Sequence, residues 1–260
     1  MVDSAPSVSA GRLAIPPWLA EKHSDLVSQF HKGNLAHAVL LAGEQGIGKV
    51  ALAEQLATTL LCSAQLATAC GECHSCKLAK AETHPDFIRV TPLDGKKIIA
   101  VDQVRALLGK VYTTPQISNS KVIILYPADS LNNNAANALL KCLEEPPAHT
   151  YFLLVSAFAS RLPATVRSRC RLLFVESPNR QSSEDWLLGQ GMPIEEARLK
   201  LNVCEGRPFA AFTSGADLLE RLEAIDAAVK GIANNTVGTA QLAVALQAFE
   251  LVDLLPMYIS

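Results

Sequence analysis

Short, uninterrupted apolar runs alternate along this chain with longer stretches in which apolar residues return at helical spacing. The first run, HAVLLA at 37–42, ends in a glycine-rich turn, and residues 49–61 follow with Ala and Leu at helical spacing. Further runs lie at 86–90, 122–125 and 151–155, with another at 171–175, and helical patterns fall between them at 101–112, 134–145 and, briefly, 164–168. Strands alternating with helices predict right-handed crossovers and an α/β fold with a parallel sheet covered on both faces. Asn132, Asn133 and Asn134 offer caps before ANALLKCLEE, and Pro146 with Pro147 prevents its continuation. Near Glu176 the character changes. The segment ESPNRQSS reads as a connector, and the chain beyond it is helical, at 184–189, 193–204, 208–213 and 215–230, with a last amphipathic stretch at 240–255.

The glycine-rich turn after the first run carries candidate chemistry. Residues 43–50 spell GEQGIGKV, which matches the phosphate-loop pattern GxxxxGK[ST] at Gly43, Gly48 and Lys49 and fails at its last position. In a working loop, backbone N–H groups cradle phosphates, the lysine reaches the terminal phosphates and the Ser/Thr hydroxyl ligates Mg²⁺. Val50 has no oxygen to offer. After the run at 122–125, where hydrolysis needs a carboxylate near Mg²⁺, stand Tyr126 and Pro127; Asp129 lies beyond the strand end behind that proline. The loop is thus expected to be vestigial, with no ATPase activity of its own and nucleotide binding through Lys49 left open. Inherited turn geometry, with Gly43, Gly46 and Gly48 kept for backbone angles and close packing, is the plainer reading.

Cys62, Cys70, Cys73 and Cys76 follow directly in CSAQLATACGECHSC. The spacing Cx7CxxCxxC packs four soft ligands into a short segment from which a tetrahedral Zn²⁺, at about 2.3 Å per sulfur, can be reached. Four protein ligands leave no position open for water, so a structural zinc is expected rather than a catalytic one. His74 inside the cluster and His84 just beyond it are each able to replace a cysteine, and a metal-free cluster is the remaining alternative.

Composition bounds the rest. The 260 residues, 49% of them apolar, suit roughly two domains with a real core. A net charge of −2 gives no field for autonomous nucleic-acid binding, so any DNA contact must be local or shared with partners. The compact basic clusters are Lys96 with Lys97, which reads as solvated charge, and Arg167, Arg169 and Arg171. Seven cysteines, an odd count with Cys142, Cys170 and Cys204 scattered in predicted core elements, point to a reducing cytoplasm. No stretch approaches the ~20 apolar residues needed to span a bilayer, and the N-terminus lacks a signal-peptide pattern, so neither membrane insertion nor secretion is expected.

The segments HAVLLAGEQGIGK, the four-cysteine knuckle, THPDFIRV, NNNAANALLKCLEEPPAHTYFLLVS and LPATVRSRCRLLF together resemble the AAA+ clamp-loader subunits of bacterial DNA polymerase III, across almost all of the first 175 residues. Tyr126-Pro127 departs from the acidic pair of that family's ATPases and favours its non-motor branch. The resemblance implies an AAA+ core at 1–177 with the knuckle at 62–76, a helical lid at 178–215 and a helical collar beginning at 216–260. About 45 residues remain for that collar, fewer than a bundle needs, so it looks truncated. Ser168, Arg169 and Cys170 match the family's Ser-Arg-Cys motif, whose arginine enters the ATP site of the neighbouring subunit as a finger in trans; the residues alone leave a structural ion pair equally open. Ser156 falls at a γ-phosphate-sensing position, and Phe209, with Arg207 two residues earlier, where motor subunits carry a sensing arginine. The implied partners are the tau/gamma ATPase subunits, the delta subunit, the sliding clamp and, through the complex, primed DNA, with ATP bound at partner subunits. An ATP-binding or ATP-hydrolysing motor subunit is the alternative, and a zinc-centred nucleic-acid-binding module a third reading.

Overall fold

The apolar runs become strands, with both faces covered in the first, third and fourth and the last largely exposed at the sheet edge. In the computed structural model, which describes residues 15–214, the strands β1 (Ala38–Ala42), β2 (Phe87–Val90), β3 (Lys121–Leu125), β4 (Thr150–Ser156) and β5 (Arg171–Phe174) form one sheet of order β2-β3-β4-β1-β5. Every pairing is parallel; Leu40, for instance, stands in register with Leu154 on one side and Leu172 on the other. The helices are α1 (Pro17–His31), α2 (Lys49–Leu61), α3 (His74–Lys80), α4 (Val101–Val111), α5 (Asn133–Glu144), α6 (Ala164–Arg167), α7 (Arg180–Gly189), α8 (Ile194–Val203) and α9 (Pro208–Thr213). Of the described residues, 15–210 belong to one compact unit. The expected helices at 215–230 and 240–255, and the collar at 216–260, lie outside the described residues.

The pleat sends alternate residues to two cores. Val39, Leu41, Ile124 and Val155 pack against α1 and α2 through Leu19, Leu26, Leu52 and Leu56. Leu40, Ile123, Leu125 and Leu154 pack on the other face against Val104 and Leu107 of α4, Leu139 of α5 and Val166 of α6. Burying each such side chain contributes about 1.5–3 kcal/mol, and the double coverage explains why the strands read as continuous apolar runs rather than alternating ones.

Asn132 caps α5 as expected, its side chain accepting the Ala135 N–H at 2.8 Å. α1 and α3 were not expected, and α7 starts at Arg180, ahead of the expected 184. α1 begins at Pro17, a favoured first position, and buries Leu19, His23, Leu26 and Val27; this stripe is narrow, and a histidine occupies one of its inward places. α7 begins inside the connector, where Asn179 accepts the Ser182 N–H at 2.8 Å; its first turn is polar, which hid it.

THPDFIRV builds a buried polar hub. The fully buried Asp86 carboxylate accepts the backbone N–H groups of Gln116, Ile117 and Ser118 at 2.7, 2.8 and 2.9 Å. His84 Nδ1 accepts the Asp86 N–H at 3.0 Å, which leaves Nε2 to donate, to Ser75 Oγ at 2.8 Å and Ser118 Oγ at 3.2 Å. Both hydroxyls donate to the Leu61 carbonyl, at 2.7 and 2.9 Å. The end of α2, α3 and the entry to β2 are thereby locked together, and the cysteine-bearing insertion hangs on this lock.

Candidate functional site

The loop after β1 sits at the carboxyl end of the sheet and feeds α2, where a phosphate loop belongs. Gly43 adopts φ 147°, and a Cβ there would meet the Val175 carbonyl oxygen at 2.2 Å; Gly48 adopts φ 99°, and its Cβ would meet the Phe209 ring at 2.6 Å. Both glycines are therefore required by backbone angle and by close approach. Trp18 Nε1 donates to the Ile47 carbonyl at 3.0 Å, and the Gly46 carbonyl accepts the Phe209 N–H at 2.9 Å. Trp186 packs edge-on to Trp18 at 5.8 Å and stacks on Phe209 at 4.6 Å, so an aromatic row from α1, α7 and α9 braces the loop. Phe209 thus packs on Gly48, and Arg207 is committed elsewhere, its Nε donating to the Cys204 carbonyl at 2.8 Å and its guanidinium pairing with Glu205.

Lys49 is buried, and its ammonium donates to the loop's own carbonyls, Gly43 O at 2.7 Å and Glu44 O. Burial drives its pKa down from 10.5 to about 8, against the opposing pull of Asp129 and Glu44. Asp129, set aside in the sequence because a proline separates it from β3, accepts the Ser156 hydroxyl at 2.5 Å and the Ala157 N–H at 3.1 Å. The ends of β1, β3 and β4 thus bring Lys49, Asp129 and Ser156 to one place. Val50, Tyr126 and Pro127 leave that place without the Mg²⁺ hydroxyl and the acidic pair.

The four cysteines converge. Their sulfurs all lie within 4.8 Å of one another, with Cys62–Cys73 and Cys70–Cys76 each at 3.9 Å, and all four are free thiols. A tetrahedral ion about 2.3 Å from each sulfur needs S···S edges of roughly 3.8 Å, so the set fits a metal such as zinc. Backbone N–H groups of Cys70, Cys73 and Cys76 point at Cys62, Cys70 and Cys73 Sγ at 3.4 Å, the donors that stabilise thiolates. The cluster splits its protons: burial pushes Cys76 up, whereas for Cys73 burial is outweighed by hydrogen bonds from Ser63 and Cys76 that hold it near 5. Four adjacent thiolates repel unless a cation sits among them. His84 has both ring nitrogens committed to the hub, and among the described residues the group that could hold a metal consists of the cysteines.

Arg169 follows α6 at the opposite end of the sheet. Arg171 stands in register with Val39, near the start of β1, and the loop leaves from the other end of that strand. The Arg169 guanidinium pairs with Glu144 Oε1 at 2.5 Å and donates to the Thr165 carbonyl at 2.8 Å and Ser168 Oγ at 3.4 Å, with its side chain 33% exposed. Leu172 and Phe174 of the edge strand β5 are both 60% exposed, Leu172 in register with Leu40 and Phe174 with Ala42 at the loop end of β1. Glu144 was not singled out from the sequence; its signal was its place at the stop imposed by Pro146-Pro147.

A parallel sheet of this order with a phosphate loop between β1 and α2 defines an AAA+ core, here with the hydrolytic groups missing from its own nucleotide end. The family profile described as DNA polymerase III, delta subunit, matches residues 19–179, and the chain belongs to that family. It is similar to DNA polymerase III subunit delta' of Pseudomonas aeruginosa, 46% identical over 184 residues covering 70% of this chain and 55% of that protein. The Haemophilus influenzae subunit delta' is 38% identical over 76% of this chain and 61% of its own length, and that of Escherichia coli K12 39% identical over 75% and 59%. The chain thus spans about 55–61% of the length of these relatives. Among solved structures, the Thermotoga maritima RuvB Holliday junction branch migration motor is 17% identical over 92% of this chain and 71% of its own, with a TM-score of 0.47.

Proposed function

We propose that this chain is a non-catalytic stator of the DNA polymerase III clamp loader, which supplies Arg169 to the ATP site of a neighbouring tau/gamma ATPase subunit and helps load the sliding clamp on primed DNA. The observation that carries this reading is the contrast between the two ends of the sheet. One end has a phosphate loop whose lysine is turned onto its own carbonyls and whose metal hydroxyl is replaced by Val50. The other presents a partly exposed guanidinium, away from the chain's own loop, and the edge strand that follows it exposes Leu172 and Phe174. A fixed guanidinium stabilises charge on a transferring phosphoryl group, and the exposed apolar pair suits a protein neighbour. Energy comes from ATP held by the partner. The delta subunit completes the assembly, and the cytoplasm is its place of work.

The cysteine cluster takes a structural Zn²⁺ that folds residues 62–76 onto the hub. The chain divides into a core at 1–177, a lid at 178–215 and the start of a collar at 216–260. Convergence of Lys49, Asp129 and Ser156 favours a second reading, a nucleotide bound without turnover.

The test reconstitutes the chain with its ATPase partners. Arg169→Ala is expected to lower DNA-stimulated turnover by about 10³-fold or more, as for removal of an arginine finger. Unchanged turnover overturns the finger, and Mg-ATP hydrolysis by the chain alone, lost in Lys49→Ala, overturns the stator.

A further inference from the structure

We infer that Glu144 is a positioning residue for Arg169: it parks the guanidinium at the end of α5, and engagement of a neighbour's ATP exchanges this carboxylate for the γ-phosphate. The inference rests on the finger reading above and adds to it a holding group and a threshold.

The parked arginine is held from one side by Glu144 Oε1 at 2.5 Å and from the other by the Thr165 carbonyl at 2.8 Å and Ser168 Oγ at 3.4 Å. Glu144 is the last residue of α5, and Pro146-Pro147 ends the helix there. The negative end of the helix therefore adds to the attraction for a cation at this point. The pair bridges two elements, α5 and the turn after α6, so it fixes where the guanidinium begins its travel.

Exposure decides whether the pair can open. Had both groups been buried, separating them would strand a charge in the interior and hold the arginine permanently. Instead Glu144 is 48% exposed and Arg169 33%, so water solvates the released carboxylate. A γ-phosphate carries more negative charge than a carboxylate and offers three oxygens, so it outcompetes Glu144. A nucleoside diphosphate ends one phosphate short and leaves the arginine parked. Glu144 thereby sets the threshold at which the arginine leaves, and its removal lowers that threshold for ATP alone.

The test uses Glu144→Gln, which keeps the shape and removes the charge, in the chain assembled with its ATPase partners. Affinity for a non-hydrolysable ATP analogue is expected to rise about two- to five-fold, the range for releasing an exposed ion pair, while ADP affinity stays the same. An ATP-to-ADP affinity ratio that is unchanged or falls overturns the inference. In the isolated chain, ¹⁵N NMR of the Arg169 guanidinium is expected to show slowed rotation that becomes averaged in Glu144→Gln, and identical spectra overturn the parking. Arg169→Ala in the same assembly separates the two claims. If it leaves turnover intact, the finger itself has failed; if it abolishes turnover while Glu144→Gln leaves the ratio unmoved, only the positioning role has.

Discussion

Lys49→Met removes a buried ammonium from the phosphate loop, and the structure sets the size and the pH signature of the effect. Burial lowers the Lys49 pKa to about 8, against 10.5 when the chain is unfolded. Below pH 8 both states hold the proton and the folded state bears the full penalty of the buried charge. Between pH 8 and 10.5 the folded state releases its proton first, the unfolded state binds more, and stability rises with pH. The span of 10.5 − 8 = 2.5 units corresponds to roughly 3 kcal/mol at 1.36 kcal/mol per unit. Methionine also leaves the carbonyls of Gly43 and Glu44 without their donor, an offset that does not change with pH. Urea unfolding of both proteins from pH 7 to 10.5 is therefore expected to show the wild type gaining roughly 3 kcal/mol on Lys49→Met across that window. Other titrating groups cancel in the difference. A pH-independent difference refutes the burial argument, and a slope that disappears on adding Mg-ATP identifies phosphate at Lys49, since an anion there restores the charged form.

Three further outcomes follow from the same geometry. Cys73→Ser keeps an N-cap for α3, where the Cys73 sulfur accepts the Cys76 N–H, but removes a metal ligand; metal analysis is expected to fall from one zinc per chain to none, with residues 62–76 becoming protease-sensitive while partner ATPase activity persists. Asp86→Asn replaces an acceptor of three backbone N–H groups and is expected to destabilise by about 2–3 kcal/mol in urea unfolding. Burial opposes the Asp86 charge, but those N–H groups hold its pKa below the ordinary value, so its contribution is present above about pH 4 and lost as pH falls through the lower folded value. Arg169→Ala breaks a partly exposed ion pair and is expected to change stability by less than about 1 kcal/mol, which a thermal melt checks and which separates its role in the assembly from one in the fold.

The loop and the knuckle were legible because their chemistry is written in local spacing: Gly43, Gly48 and Lys49 fall on one turn, and the four cysteines within one short segment. β1, β3 and β4 were legible because double burial leaves their central residues apolar. α1 and the first turn of α7 were not, since His23 and Ser183 occupy inward positions that an apolar pattern cannot flag. His84 was read in the sequence only as a residue able to replace a cysteine; in the fold its ring nitrogens go to the Asp86 N–H and to the Ser75 and Ser118 hydroxyls.

By itself the sequence determined the class of fold, the loss of the hydroxyl and acids that hydrolysis requires, and the grouping of four cysteines that could hold a metal. These depend on residue type and on spacing along the backbone, which local geometry translates directly. Only the tertiary structure decided that the Lys49 ammonium bonds its own loop, that Asp129 meets Ser156, that Phe209 closes on Gly48 and that Arg169 rests on Glu144 at the far end of the sheet. Each of these joins segments that meet only when the crossovers have packed, and a side chain's partner is chosen by distance in space, which no periodicity encodes.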